Sequence, residues 1–167
     1  MHTLDFRREK IYHLSFVFTL LIVVTYSVHP AAEKYNASKI KAAYVYNFIQ
    51  YVEWPNEADI KAFTIGFYGD DEAYYLALKQ MHGRQIRNFK LELKRLSSLT
   101  GIQQLQMLIV AENKSYTLKG IANQLARQPT LIISDEASDK KYTMLNFVVT
   151  DSNTLSFELN RYNMLNA

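Results

Sequence analysis

Cysteine is absent from this chain of 167 residues. Disulfides, thiolate nucleophiles, cysteine zinc sites and a lipid anchor on a processed cysteine are excluded together. Histidine is nearly as scarce: of the four present, His2, His13 and His29 cluster near the start, which leaves His82 alone in the remainder. One histidine cannot build a metal cluster, and before Gly83 it reads as a solvated turn residue. Only five glycines occur, and none sits in a phosphate-cradling loop or a Gly-x-Ser-x-Gly elbow. Excess charge is small too, a net of +3. Without clustered cations there is no dedicated nucleic-acid surface. Internal repeats and low-complexity tracts are missing as well.

What the chain does have is enough apolar material for one core. Hydrophobic residues make up 49% and charged residues 21%, ordinary values for a folded domain. Arg7, Arg8 and Lys10 precede a charge-free stretch from Leu14 to Val28. That pattern predicts an export signal with a positive start and an apolar centre. The run falls short of the roughly 20 apolar residues that span a bilayer. Thr25 and Ser27 fit a cut after Ser27; a cut after Ala32 and an uncleaved anchor are the alternatives. The Arg7-Arg8 pair lacks the rest of a twin-arginine signal. The division expected is 1–32 as signal peptide and linker and 33–167 as one exported, periplasmic domain.

Residues 30–37 read as a linker, with Asn36 or Ser38 capping a first helix from Ser38 to Glu53. Trp54 before Pro55 disfavours helical geometry and closes it. At 100° per residue Ala42, Val45, Phe48, Ile49 and Val52 form one stripe, and Ile40, Tyr44 and Tyr51 a second. So wide an apolar arc has two explanations. Either the helix packs between sheet and loops with its tyrosine hydroxyls in water, or the second stripe and Trp54 dock a partner. Tyr44, Asn47, Tyr51 and Trp54 are the candidate partner-binding residues.

Farther on, Phe63–Tyr68 alternates as a strand, and Gly69-Asp70-Asp71-Glu72 turns into a helix over 72–81. Residues 86–93 read as a strand with a bulge near Arg87-Asn88. Met107–Val110 and Leu131–Ile133 are continuous apolar runs, as in strands buried on both faces. Tyr116–Ala126 lies between them with helical periodicity. Residues 144–149 and 155–159 alternate around Thr150–Thr154 and predict a terminal hairpin. The fold class expected is α/β: a single domain with a mostly parallel central sheet, flanking helices and a C-terminal antiparallel hairpin.

Asp70, Asp71 and Asp135 follow strands, where open α/β sheets bind ligands. Convergence there would make a hard-cation or phosphoacceptor site. Helix capping by Asp70 or Asp71 and turn formation by Asp135 explain the same residues without a ligand. Arg84, Arg87, Lys90, Lys94 and Arg95 form either an anion site or an edge strand protected by charge. No catalytic residue, metal site or cofactor is expected.

The run Lys41-Ala42-Ala43, Tyr46-Asn47-Phe48 and Glu53-Trp54-Pro55 resembles the opening helix of the YfiR/HmsC-like family of bacterial regulators. Phe63-Thr64-Ile65-Gly66 with Gly69-Asp70, Leu131–Asp135 and Leu155–Asn160 are similar to its later blocks, in the same order, over residues 38–167. The resemblance implies an α/β sheet flanked by helices and a non-enzymatic, periplasmic role in signal transduction. The best-understood members repress a membrane diguanylate cyclase, which controls cyclic-di-GMP and biofilm formation; others form the front of sensor kinases. The expected partner is a membrane-bound diguanylate cyclase or other sensor protein, with a homodimer as a further option and no nucleic acid. A small-molecule-sensing domain of a longer receptor and a metal-dependent envelope enzyme are the alternatives. The chain departs from the family in having Tyr142-Thr143-Met144 where relatives carry Gly-Gly. It also lacks the cysteines that some pair, and the final helix after the last strand is expected to be missing.

Overall fold

A computed structural model describes residues 30–152 and 154–166, with side-chain burial from Asn36 onward. The leader lies outside the described residues. The compact unit that carries the sheet is Lys34–Ala167. Its strands are β1 (Ala62–Tyr68), β2 (Gln85–Ile86), β3 (Phe89–Leu96), β4 (Met107–Val110), β5 (Leu131–Asp135), β6 (Leu145–Val149) and β7 (Leu155–Leu159). They form one sheet in the order β2-β3-β1-β4-β5-β6-β7. The five inner strands run parallel, and β2 and β7 are antiparallel edges. The helices are α1 (Pro30–Tyr51), α2 (Glu72–Lys79), α3 (Leu118–Gln124) and α4 (Arg161–Leu165). The α/β architecture with a terminal hairpin is as the sequence predicts.

Several boundaries differ. α1 begins at Pro30 rather than Ser38, because proline needs no amide partner in a first turn and Ala31, Ala32, Glu33 and Lys34 favour helix. Ser38 is then a buried residue inside the helix, not its cap. The expected bulge at Arg87-Asn88 is a full reversal: β2 ends at Ile86, β3 starts at Phe89, and the two pair antiparallel. Arg87 takes a left-handed backbone with φ 53°. Its guanidinium returns to α1 and donates to the carbonyls of Val52 (3.0 Å) and Ile49 (3.4 Å). With no basic residue in its own last turn, α1 has its final carbonyls satisfied from this distant hairpin. The predicted helix over 116–126 is a 3₁₀ segment followed by the shorter α3.

A short helix, α4, does follow β7. Asn160 caps it by accepting from the Asn163 amide, and Asn163 ties it back by donating to the carbonyls of Lys141 and Thr143, both at 2.8 Å. Just before β6, the Thr143 hydroxyl donates to the Leu145 carbonyl (2.7 Å) and receives a hydrogen bond from Ser134 (3.0 Å). A buried threonine thus stabilises this connection with hydrogen bonds of its own.

Alternation and register put Phe63, Ile65, Phe67, Met107, Ile109, Ile133, Leu145, Phe147 and Phe157 on one face of the sheet. α1 and α2 cover it: Tyr44 and Phe48 pack on Phe147 and Phe157, and Tyr74 on Phe67 and Phe147. On the opposite face Gly66 lies against Leu96, Leu105 and Leu108, and Leu125, just past α3, lines a depression together with Ile132.

Candidate functional site

α1 presents three different surfaces. Ala42, Val45 and Ile49 are buried, the last two completely. Lys41 shares this inner side, a costly place for a cation without a partner. Its Nζ donates to both carboxylate oxygens of Asp135, at 2.5 and 2.6 Å. It also stands over the Tyr74 ring, 5.6 Å from the centroid. The pair joins α1 to the carboxyl end of β5. Burial pushes the Asp135 carboxyl above its ordinary value; the Lys41 charge and hydrogen bond oppose this, and Glu136 and Asp71 add to the rise. The Tyr74 hydroxyl is buried without a hydrogen-bond partner among the described residues. Burial first, then the Asp135 and Asp71 carboxylates, raise it well above the usual phenol value.

Sequence reasoning selected Asp135 and missed Lys41. A signal existed: Lys41 stands four residues before Val45 and eight before Ile49 and so falls on the buried stripe. A lysine there calls for a buried acid.

The second surface meets the hairpin. Tyr44 is half-buried, its ring 6.2 Å from that of Phe48 and edge-on to Phe157 at 5.4 Å. The third faces water. Ile40, Asn47 and Tyr51 are exposed, Tyr51 to 84% and Ile40 to 41%. Trp54 does not join them. It is 6% exposed, packs edge-on against Phe63 at 4.7 Å and donates from Nε1 to the Gln106 carbonyl at 3.1 Å. The expected grouping of Trp54 with the tyrosines is therefore corrected: past the helix end the chain turns inward and the residue joins the core.

The three acids have separate tasks. Asp70 is exposed, accepts from the Asn113 side chain (2.7 Å) and has its own amide bonded to Asn113 (3.2 Å). Asp71, not Asp70, caps α2 by accepting from the Tyr74 amide. Asp135 is held by Lys41. Among the described residues no group of three or more His, Cys, Asp or Glu is placed to hold a metal. The crevice between the ends of β1 and β4 is also tightly closed. A Cβ on Gly69 (φ 141°) would lie 2.4 Å from the Ala111 Cβ, so glycine is needed both for backbone and for space. Replacing Asp71 with alanine is expected to cost about 1 kcal/mol as a lost cap. Asp70→Ala should cost about 0.5 kcal/mol or less, as an exposed change. Urea unfolding of both variants checks the order.

Of the basic residues, Arg87 pairs with Glu57. Arg95 pairs with Glu72 at 2.5 Å and stacks on Tyr75. Two depressions meet at Trp54-Pro55: an apolar one of ≈ 170 Å³ with Met144 and Met164, and a more polar one of ≈ 560 Å³ with Gln103, Gln104 and Gln128. Both lie at the amino ends of the parallel strands, opposite the end where α/β sheets usually take ligands.

No helix among the described residues is long and apolar enough to cross a membrane. Comparison with curated proteins found no match. A family model described as YfiR/HmsC-like matches residues 38–167, from the first buried turn of α1 to the end of the chain. The chain therefore belongs to the YfiR/HmsC-like family.

Proposed function

We propose that this is an exported, periplasmic regulator, not an enzyme, that docks on the periplasmic part of a membrane signalling enzyme and represses it. The enzyme is a diguanylate cyclase, and the output is control of cyclic-di-GMP and biofilm formation. Docking uses the outer side of α1, with Tyr51 and Asn47 as contacts and Tyr44 as the half-buried support behind them; Trp54 acts through the core.

The observation that carries this is Tyr51, 84% exposed on a helix whose opposite side is buried and pinned by an ion pair. A large aromatic held in water on a rigid element costs little entropy to bury at an interface. Tyr51→Ala should leave the unfolding curve within about 0.5 kcal/mol of wild type. Loss of such an anchor commonly costs about 2 kcal/mol of binding, roughly thirty-fold in affinity. The test adds purified protein to membranes carrying the cyclase and measures cyclic-di-GMP synthesis and binding together. A folded Tyr51→Ala protein that represses and binds like wild type would refute this docking face.

A further inference from the structure

In a chain without cysteine the thioethers of methionine are the only sulfur, and their oxidation follows exposure. Met81, Met107 and Met144 are buried, at 7%, 0% and 7% exposure. The Met144 Sδ is also engaged, accepting from the Ile132 amide at 3.4 Å. Met164 differs from these three: it is half-buried. Its side chain lines the apolar depression of ≈ 170 Å³ together with Trp54, Pro129, Leu131 and Met144. One water takes up about 30 Å³ in the liquid, so a molecule of two or three heavy atoms has room to enter.

The same side chain holds α4 in place. A helix of five residues is too short to be stable by itself and depends on what it packs against. At 100° per residue Arg161, Tyr162 and Leu165 share its outer side, and all three are exposed, Tyr162 to 76% and Leu165 to 73%. Asn163 and Met164 face inward. Asn163 supplies the hydrogen bonds to Lys141 and Thr143. Among the described residues of α4, Met164 alone packs apolar surface against the core.

We propose that Met164 is a site of reversible oxidation by hypochlorous acid, and that the sulfoxide releases α4 from the core. Undissociated hypochlorous acid is small and uncharged, as an apolar entrance requires. The sulfur lone pair takes chlorine from HOCl, and hydroxide leaves. Water then adds its oxygen to sulfur, chloride leaves, and two protons are lost, one of them to the hydroxide. Sulfur gives up two electrons and chlorine gains them; thioether and HOCl become sulfoxide, chloride and one proton. The new S=O group is polar, and resting it against Leu131, Pro129 and the Trp54 ring would strip its hydration. The side chain therefore leaves the depression, α4 loses its apolar contact, and water reaches Trp54, which is 6% exposed in the reduced protein. Reduction back to the thioether by a methionine sulfoxide reductase restores the contact. The oxidation does not rest on the docking reading above, and loss of either leaves the other standing.

The test treats the purified protein with an equimolar amount of hypochlorous acid and maps its peptides by mass spectrometry. Met164 should gain one oxygen before Met81, Met107 and Met144 do. Trp54 is the only tryptophan, so its emission should shift to the red as α4 leaves. The Asn163 and Met164 amides, held by the Asn160 side chain (3.1 Å) and carbonyl (3.2 Å), should exchange their hydrogens faster. Methionine sulfoxide reductase with a thiol reductant should restore mass, emission and exchange together. Met164→Leu should fold and keep its emission through the same treatment. Oxidation that begins at a buried methionine, a Met164 sulfoxide with unchanged emission and exchange, or an emission shift that persists in Met164→Leu would each overturn the proposal.

Discussion

Lys41→Met is expected to destabilise the domain by about 3–5 kcal/mol, because it leaves the Asp135 carboxylate buried without its counter-ion. Asp135 is 3% exposed, and its carboxylate meets the Lys41 ammonium at 2.5 Å. Adding Asp135→Leu should recover most of the loss, since the cost comes from the orphaned charge and not from the lost attraction. The pH dependence gives a second check. The folded protein raises the Asp135 carboxyl above an unfolded value of about 3.9. Its proton is thus held more tightly in the folded state. Stability from this group rises as pH falls through the folded value and is complete below the unfolded one. Lys41 is the influence that lowers it, so its removal widens the gap. The deficit of Lys41→Met should be largest at neutral pH and shrink in acid. Urea midpoints at several pH values measure this; a deficit that stays constant or grows in acid contradicts it.

Trp54→Ala should cost about 3–5 kcal/mol, the range for deleting a large buried aromatic. The indole is buried at the amino end of the parallel strands, edge-on to Phe63. Trp54→Phe should be far milder, about 1 kcal/mol for the lost hydrogen bond. The Gln106 carbonyl that accepts from Trp54 also accepts from the Leu131 amide at 3.0 Å, so it is not left unsatisfied. Denaturation of Trp54→Ala, Trp54→Phe and Tyr51→Ala separates core from surface. If Trp54→Ala unfolds no more readily than Tyr51→Ala, the placement of the indole is wrong.

Local pattern carried most of the architecture. Met107–Val110 and Leu131–Ile133 are apolar throughout and are buried on both faces, and clean alternation marked the last two strands. Patterns that fit two local geometries were harder. A break in alternation at Arg87-Asn88 suits a bulge or a reversal, and no glycine marks the left-handed residue. Two adjacent acids after Gly69 left the identity of the α2 cap open until the path of the turn was known.

Periodicity within α1 marked the stripe that carries the fully buried Val45 and Ile49, because burial repeats every 3.6 residues along a helix that rests on a sheet, but it did not tell the half-buried Tyr44 from the exposed Tyr51. It could not extend to Trp54, which lies beyond the last helical residue, where that period no longer applies. Nor could it pair Lys41 with Asp135, 94 positions apart. That partnership exists because α1 crosses the carboxyl end of β5. By itself, then, the sequence determined an α/β domain, its strand runs and the inner stripe of its first helix. Only the tertiary structure decided which acid neutralises the buried lysine, which aromatic faces water and which methionine stays accessible, because these depend on contacts between elements that sequence spacing does not encode.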